Sequence, residues 1–150
     1  MNPTDELTLK YEAYLKNGNS VFAVTLSTYV QSEWFARKHM HSYWRNHFIY
    51  RVLKQLSYKL KAKLDHDYVI ERSPEGHYHF HGLLALPASS SGQIWNCGSL
   101  RKPLDLALKS LGHCGRHRMF KVNDFLIEPI TNVAAWAIYS TKSPDSISWE

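Results

Sequence analysis

The chain has 150 residues, 44% of them hydrophobic, with 18 Lys and Arg against 13 Asp and Glu, a formal charge of +5, nine histidines and a sequence pI near 9.2. A chain of this length builds one core rather than two domains. It holds no apolar run of bilayer length and nothing resembling a signal peptide, and its two cysteines, Cys97 and Cys114, read as free thiols of a reducing cytosol. A moderately basic surface suits a polyanionic partner and equally serves solubility, so charge narrows the partners without choosing one.

In chain order, residues 1–20 are polar and read as a short lead-in. Val21 to Tyr29 (VFAVTLSTY) is rich in β-branched and aromatic residues and predicts a buried first strand. Between Ser32 and Leu64 there is no Gly or Pro. Met40, Tyr43, Trp44, Phe48, Leu53, Leu56, Leu60 and Leu64 recur there at helical spacing, which predicts one long helix or two in close succession. The other side of that segment carries Arg37, Lys38, Arg45, Arg51, Lys54, Lys59, Lys61 and Lys63, read as a solvated helix face. Strand-like runs at residues 68–73 and 77–86 flank Pro74-Glu75-Gly76. Residues 88–92 form a small-residue loop, and residues 102–111, with Leu104, Leu106, Leu108 and Leu111, predict a short helix. Residues 119–130 are a further strand region ending near Pro129, after which Thr131 or Asn132 caps a last helix to about Lys142. Strands interspersed with helices and a tight hairpin predict an α+β sandwich with an antiparallel sheet.

The stretch Glu71-Arg-Ser-Pro-Glu-Gly-His77-Tyr-His79-Phe-His81 carries the most chemistry. Pro-Glu-Gly suits a three-residue hairpin loop, with proline presetting the first turn position and glycine taking the left-handed one. If Ser73 pairs with His77, then Arg72 lies opposite Tyr78 and Glu71 opposite His79. Residues facing each other across antiparallel strands project to one side with Cβ atoms ~5 Å apart. Alternation places His77, His79 and His81 on one side and Tyr78, Phe80 and Leu84 on the core side. Glu71, His79 and His81 therefore converge, whereas a two-residue loop would turn Glu71 away. Two imidazoles and one carboxylate make a divalent-cation site with open positions, suited to Mn²⁺, or to Mg²⁺ where water and phosphate oxygens complete the shell. A bare His-x-His is more often a pair of exposed or hydrogen-bonded histidines; the opposed carboxylate and the apolar back face favour the metal.

In Asn132-Val-Ala-Ala-Trp-Ala-Ile-Tyr139-Ser-Thr-Lys142, Tyr139 and Lys142 stand at i and i+3, neighbours on one helical face. A phenol of pKa ~10 is a poor nucleophile unless it meets a phosphate whose charge is partly neutralised. Alone, the pair reads as a packed aromatic beside a surface lysine; with the metal donors it reads as a nucleophile and its supporting cation.

With these residues in place, the chain resembles the HUH endonuclease superfamily, specifically the rolling-circle replication initiators of small plasmids and phages. Phe22-Ala-Val-Thr-Leu-Ser27 resembles the first-strand motif, His79-Phe-His81 within HYHFHGLL the histidine–hydrophobic–histidine signature, and Tyr139-Ser-Thr-Lys142 the tyrosine–x–x–lysine motif. Phe125-Leu-Ile-Glu-Pro-Ile130 is similar to the approach to the last motif in bacterial initiators. The three motifs stand in family order over residues 21–142. The resemblance implies an RNA-recognition-like, ferredoxin-like fold with a central five-stranded antiparallel sheet and flanking helices. It implies one endonuclease domain over residues 1–150 without a helicase domain, metal ligands Glu71, His79 and His81, and catalytic Tyr139 with Lys142. Trp136 or Ala135 stands where two-tyrosine members carry a second tyrosine, so a single-tyrosine mechanism is implied. His77-Tyr-His79 shares the signature's form, but Gly82-Leu-Leu follows the later pair and Glu71 faces His79. The implied activity is nicking and joining of single-stranded DNA at a replication origin through a 5′-phosphotyrosine. An origin stem-loop, a host helicase and a polymerase are the implied partners, in the cytoplasm of a bacterial host, with no membrane and the chain a monomer or weak dimer.

Arg101, Lys102, Arg116, Arg118 and Lys121 are candidate backbone contacts and Trp95 a candidate stacking platform. Cys97, His113, Cys114 and His117 have loose spacing for zinc and lack a second close cysteine pair. Two other readings stand beside the initiator. One is a single-tyrosine transposase of the same superfamily, against which Glu71 and the motif lysine speak. The other is a non-catalytic single-stranded nucleic-acid binder, whose aromatic-rich sheet motifs are not evident.

Overall fold

A computed structural model describes residues 3–31, 34, 48–72, 74–87, 95–111, 113–114, 117–118 and 120–141. The elements are α1 (Pro3–Lys16), β1 (Ser20–Thr28), α2 (Phe48–Leu60), β2 (Asp65–Arg72), β3 (Tyr78–Leu86), α3 (Cys97–Leu111), β4 (His113–Cys114), β5 (His117–Arg118), β6 (Phe120–Pro129) and α4 (Val133–Thr141). Four strands form an antiparallel sheet in the order β2-β3-β1-β6. α2 links β1 to β2 with β3 between them, and α3 links β3 to β6 with β1 between them. These two interleaved split βαβ units make a ferredoxin-like α+β fold, the class expected. Among the described residues the central sheet counts four strands, and the further β-structure is the short β4–β5 ribbon ahead of β6.

Burial explains the order. β1 and β3 are buried along almost their whole length, which requires cover on both faces and therefore central positions. On one face Val24, Leu26, Ile70, Phe80 and Leu84 pack against Leu53 and Leu56 of α2 and Leu104 and Leu108 of α3. On the other, Val21, Ala23, Leu83 and Ala85 pack against Leu7 and Tyr11 of α1 and Val133 and Ala137 of α4.

The lead-in expected over residues 1–20 is instead helix α1. Leu7, Tyr11, Tyr14 and Leu15 recur at helical spacing, with Asp5 and Glu6 in the first turn and Lys16 in the last, complementing the helix dipole. The stripe is narrow in a polar segment, which hid it. Polar contacts secure it to β2: Lys10 Nζ lies 2.7 Å from Asp67 and 3.4 Å from Asp65, the Tyr11 hydroxyl donates to Asp67 at 2.8 Å, and the Tyr14 hydroxyl donates to Asp65.

Three boundaries also differ. α2 stops at Leu60, not Leu64, because the Ala62 N–H bonds the Ser57 carbonyl and the Lys61 N–H the Tyr58 carbonyl, a Schellman closure. It puts Lys61 at φ 53°, a left-handed position that glycine usually fills and that costs a side-chain-bearing residue about 1–2 kcal/mol. Lys61 and Lys63 thus belong to a loop, not to the solvated helix face expected. Of the helical stretch expected before α2, Trp34 is helical and residues 32–33 and 35–47 lie outside the described residues. α3 starts at Cys97, five residues before the expected Lys102. Asn96 Oδ1 accepts from the Ser99 N–H while Ser99 Oγ accepts from the Asn96 N–H, a reciprocal cap, and Pro103 falls inside the helix rather than in its first turn. β2 starts at Asp65, three residues before the expected Tyr68. At α4, Asn132 is the cap of the two proposed, its Oδ1 accepting from the Ala135 N–H at 3.0 Å.

The hairpin follows the longer-loop register: Arg72 pairs with Tyr78 and Glu71 with His79, and Gly76 takes φ 91°. Gly76→Ala is expected to destabilise the chain by about 1 kcal/mol in urea or thermal unfolding. An unchanged midpoint would show that the turn does not depend on a left-handed residue here.

Candidate metal centre

Strand register brings the donors together. Glu71 on β2 pairs with His79 on β3, and His81, two residues along, shares its face. One ligand atom from each of Glu71, His79 and His81 lies within 4.8 Å of the others. The two Nε2 atoms are 2.8 Å apart, and His81 Nε2 is 3.3 Å from Glu71 Oε2. Two imidazole nitrogens and a carboxylate oxygen this close together would fit a single divalent cation.

His81 is only 8% exposed, and its ring is oriented from β1. Thr25 pairs with His81 across the strands, and Thr25 Oγ1 lies 3.2 Å from His81 Nδ1. With the proton on Nδ1 and donated to Thr25, the Nε2 lone pair faces Glu71 and His79. This is the outer-shell arrangement that fixes a ligating histidine. Burial holds His79 below the ordinary imidazole range, opposed by the charge of Glu75. Burial and then the adjacent His79 bring His81 down to about 4. The Glu71 carboxylate alone would favour an imidazolium on His81, but desolvation prevails, so both rings are neutral ligands near neutral pH.

Beside His79 opens a cleft of about 340 Å³ lined by Ser27, Thr28, Glu75, His77, Tyr78 and Lys121. His77 Nε2 lies 3.1 Å from the Gln31 amide nitrogen, and His77 is not among the converging donors. Of the basic candidates, Lys121 lines this cleft and reaches over the Tyr29 ring. Arg101 stacks on Phe125 from α3, in the layer across the sheet from the metal donors, and Lys102 is exposed on the same helix. Trp95, offered as a stacking platform, is core: it is 8% exposed, packs with Phe22, Leu86 and Leu100, and donates its indole N–H to the Pro87 carbonyl. It has no free face for a base. Arg116 and Lys142 lie outside the described residues, as do the side chains of Arg118, His113, Cys114, His117 and Tyr139. Tyr139 is part of α4, which packs through Val133 and Ala137 on the sheet face that carries the metal donors.

Thr25, Glu75 and Ser27 were not singled out in the sequence. Thr25 carried a faint signal, a hydroxyl at an alternate position beside Val21 and Ala23 on a face otherwise buried. Comparison with protein-family models, with curated proteins and with solved structures finds no match for this chain.

Calorimetric titration with Mn²⁺ is expected to give one site per chain, abolished in His81→Ala and weakened about tenfold or more in Thr25→Val. Full affinity in Thr25→Val would remove the orienting role. The depressed histidines also set a pH dependence. Between the unfolded value near 6.5 and the folded value of about 4 for His81, the unfolded chain binds protons that the folded chain refuses. The contribution of His81 to stability is therefore fully present above pH ~6.5 and is lost as the pH drops toward 4. Metal-free melting temperatures and Mn²⁺ protection should decline together across that window; a flat profile would contradict the burial of neutral imidazoles.

Proposed function

We propose that the chain is a metal-dependent endonuclease that nicks and rejoins single-stranded DNA through Tyr139, in the manner of HUH initiators of rolling-circle replication. The observation that carries this reading is the convergence of Glu71, His79 and His81 on the face against which α4, the helix containing Tyr139, is packed. Two imidazoles and a carboxylate with room for further oxygen ligands suit Mn²⁺ or Mg²⁺. Such an ion, when bound, supplies positive charge to a scissile phosphate.

On this reading the Tyr139 oxygen attacks phosphorus in line. The tyrosyl O–P bond forms as the bond from phosphorus to the 3′ oxygen breaks, leaving a 5′-phosphotyrosine. The phenol gives up its proton, the departing 3′ oxygen takes one up to become a hydroxyl, and reversal of the step rejoins the strand. Lys142 favours the phenolate by its charge. Lys121 borders the cleft beside His79, which suits a backbone phosphate contact that positions DNA without reading its sequence. The setting belongs to the same proposal: a plasmid or phage origin in a bacterial cytoplasm, with host helicase and polymerase. No helix among the described residues is long and apolar enough to cross a membrane.

The test is incubation with a randomised single-stranded oligonucleotide pool and Mn²⁺, read as a covalent adduct on a denaturing gel. Tyr139→Phe is expected to give no adduct, and His79→Ala to lower its yield by about 100-fold while DNA affinity changes little. An adduct that survives Tyr139→Phe would sink the nucleophile. Binding that ignores chelator, with no strand ever cut, would favour the non-catalytic binder instead.

A further inference from the structure

On the side of the sheet away from the metal donors, one flank of α2 and the loop that follows enclose an open groove of about 790 Å³. Lys54, Lys61, Lys63 and His66 line it together with Tyr50 and Tyr58, and among the described residues no acidic one does. Lys54, Lys61 and Lys63 are exposed, and among the described residues none of them is ion-paired. Tyr58 is 79% exposed, a large aromatic left at the surface.

The backbone of the loop is held in place. Ser57 Oγ donates to the Ala62 carbonyl and accepts the Leu64 N–H, tying the loop to the last turn of α2. The negative end of the α2 dipole accounts for a cation in its last turn, such as Lys59. It does not account for Lys61 in a left-handed conformation, where glycine would close the helix more stably. Lys61 thus takes a strained backbone position while its side chain lines the basic groove.

We propose that this groove is a second, metal-independent binding site for single-stranded nucleic acid, with the lysines contacting phosphates and Tyr50 and Tyr58 stacking on bases. Exposed aromatic faces distinguish single strands from duplex, whose bases are already stacked on one another. The groove and the metal centre sit at opposite ends of β2, so the two sites are separate. Only the choice of nucleic acid as the polyanion rests on the nicking reading.

The test is fluorescence anisotropy with a labelled oligothymidine and the full chain, in EDTA and in Mn²⁺. Binding in EDTA is expected to persist. Lys54→Gln with Lys63→Gln should weaken binding about tenfold and lower the salt slope by about 1–2. Tyr58→Ala should weaken it at least about fivefold. Lys61→Gly should raise the melting temperature by about 2–4 °C while lowering affinity, a combination that loss of fold cannot produce. Affinity unchanged in the lysine and tyrosine variants, loss of binding in EDTA, or tighter binding of a duplex than of the single strand would each overturn the proposal. Absence of nicking with groove binding intact would reject the endonuclease reading alone.

Discussion

The number of residues joining β2 to β3 decides which side of the sheet every residue of β2 occupies. In the observed register Tyr68 and Ile70 enter the same core as Phe80, while Asp67 and Glu71 face the opposite side. A slip of one residue would expose the first pair and drive the carboxylates into hydrocarbon. Each buried aliphatic or aromatic side chain contributes about 1.5–3 kcal/mol, so the core alone rejects the alternative. The alignment of a carboxylate with two imidazoles is in this sense secured by residues outside the donor set. The turn sets the register, the core enforces it, and the donors follow.

The two sheet faces divide the work differently. α2 and α3 close one face with a continuous apolar layer. On the other, α1 and α4 cover the Leu83–Ala85 end of β3 and leave the His79 end to polar side chains and a cleft. Partial cover suits this chemistry. Complete exposure would leave histidines that protonate and drift, and complete burial would shut out a cation. His81 is withdrawn from water and steered by Thr25, whereas His79 and Glu71 keep part of their surface in solvent.

What could be read from the sequence was what local physics determines. Pro74-Glu75-Gly76 fixed a turn whose geometry needs no distant partner, and the pairing of Glu71 with His79 followed from counting. Alternation along β3 separated the Phe80 side from the His79 side for the same reason. α1 escaped because its narrow stripe lies in a polar segment and is stabilised by Asp65 and Asp67, more than fifty positions away. Trp95 offered the opposite lesson: read as a stacking platform for a base, it is core, and only the folded chain supplies Phe22, Leu86 and Leu100 to bury it. The groove along the flank of α2 also needed three dimensions, since nothing in Lys61-Ala-Lys63 reveals a left-handed backbone. The pairing of Tyr139 with Lys142 remains a statement about sequence spacing.

The outermost strands carry a further consequence. Among the described residues no strand pairs with the free side of β2, and of its eight residues Asp65, Asp67, Glu71 and Arg72 bear charge. At the other margin β6 ends in Pro129, and its ladder with β1 is broken by an irregularity between Leu26 and Thr28. Charge, a missing amide hydrogen and a local kink are the devices that discourage open sheets from adding strands of a neighbouring copy. An open sheet with margins of this kind gives the strands of a neighbouring copy little purchase at either edge of its described part.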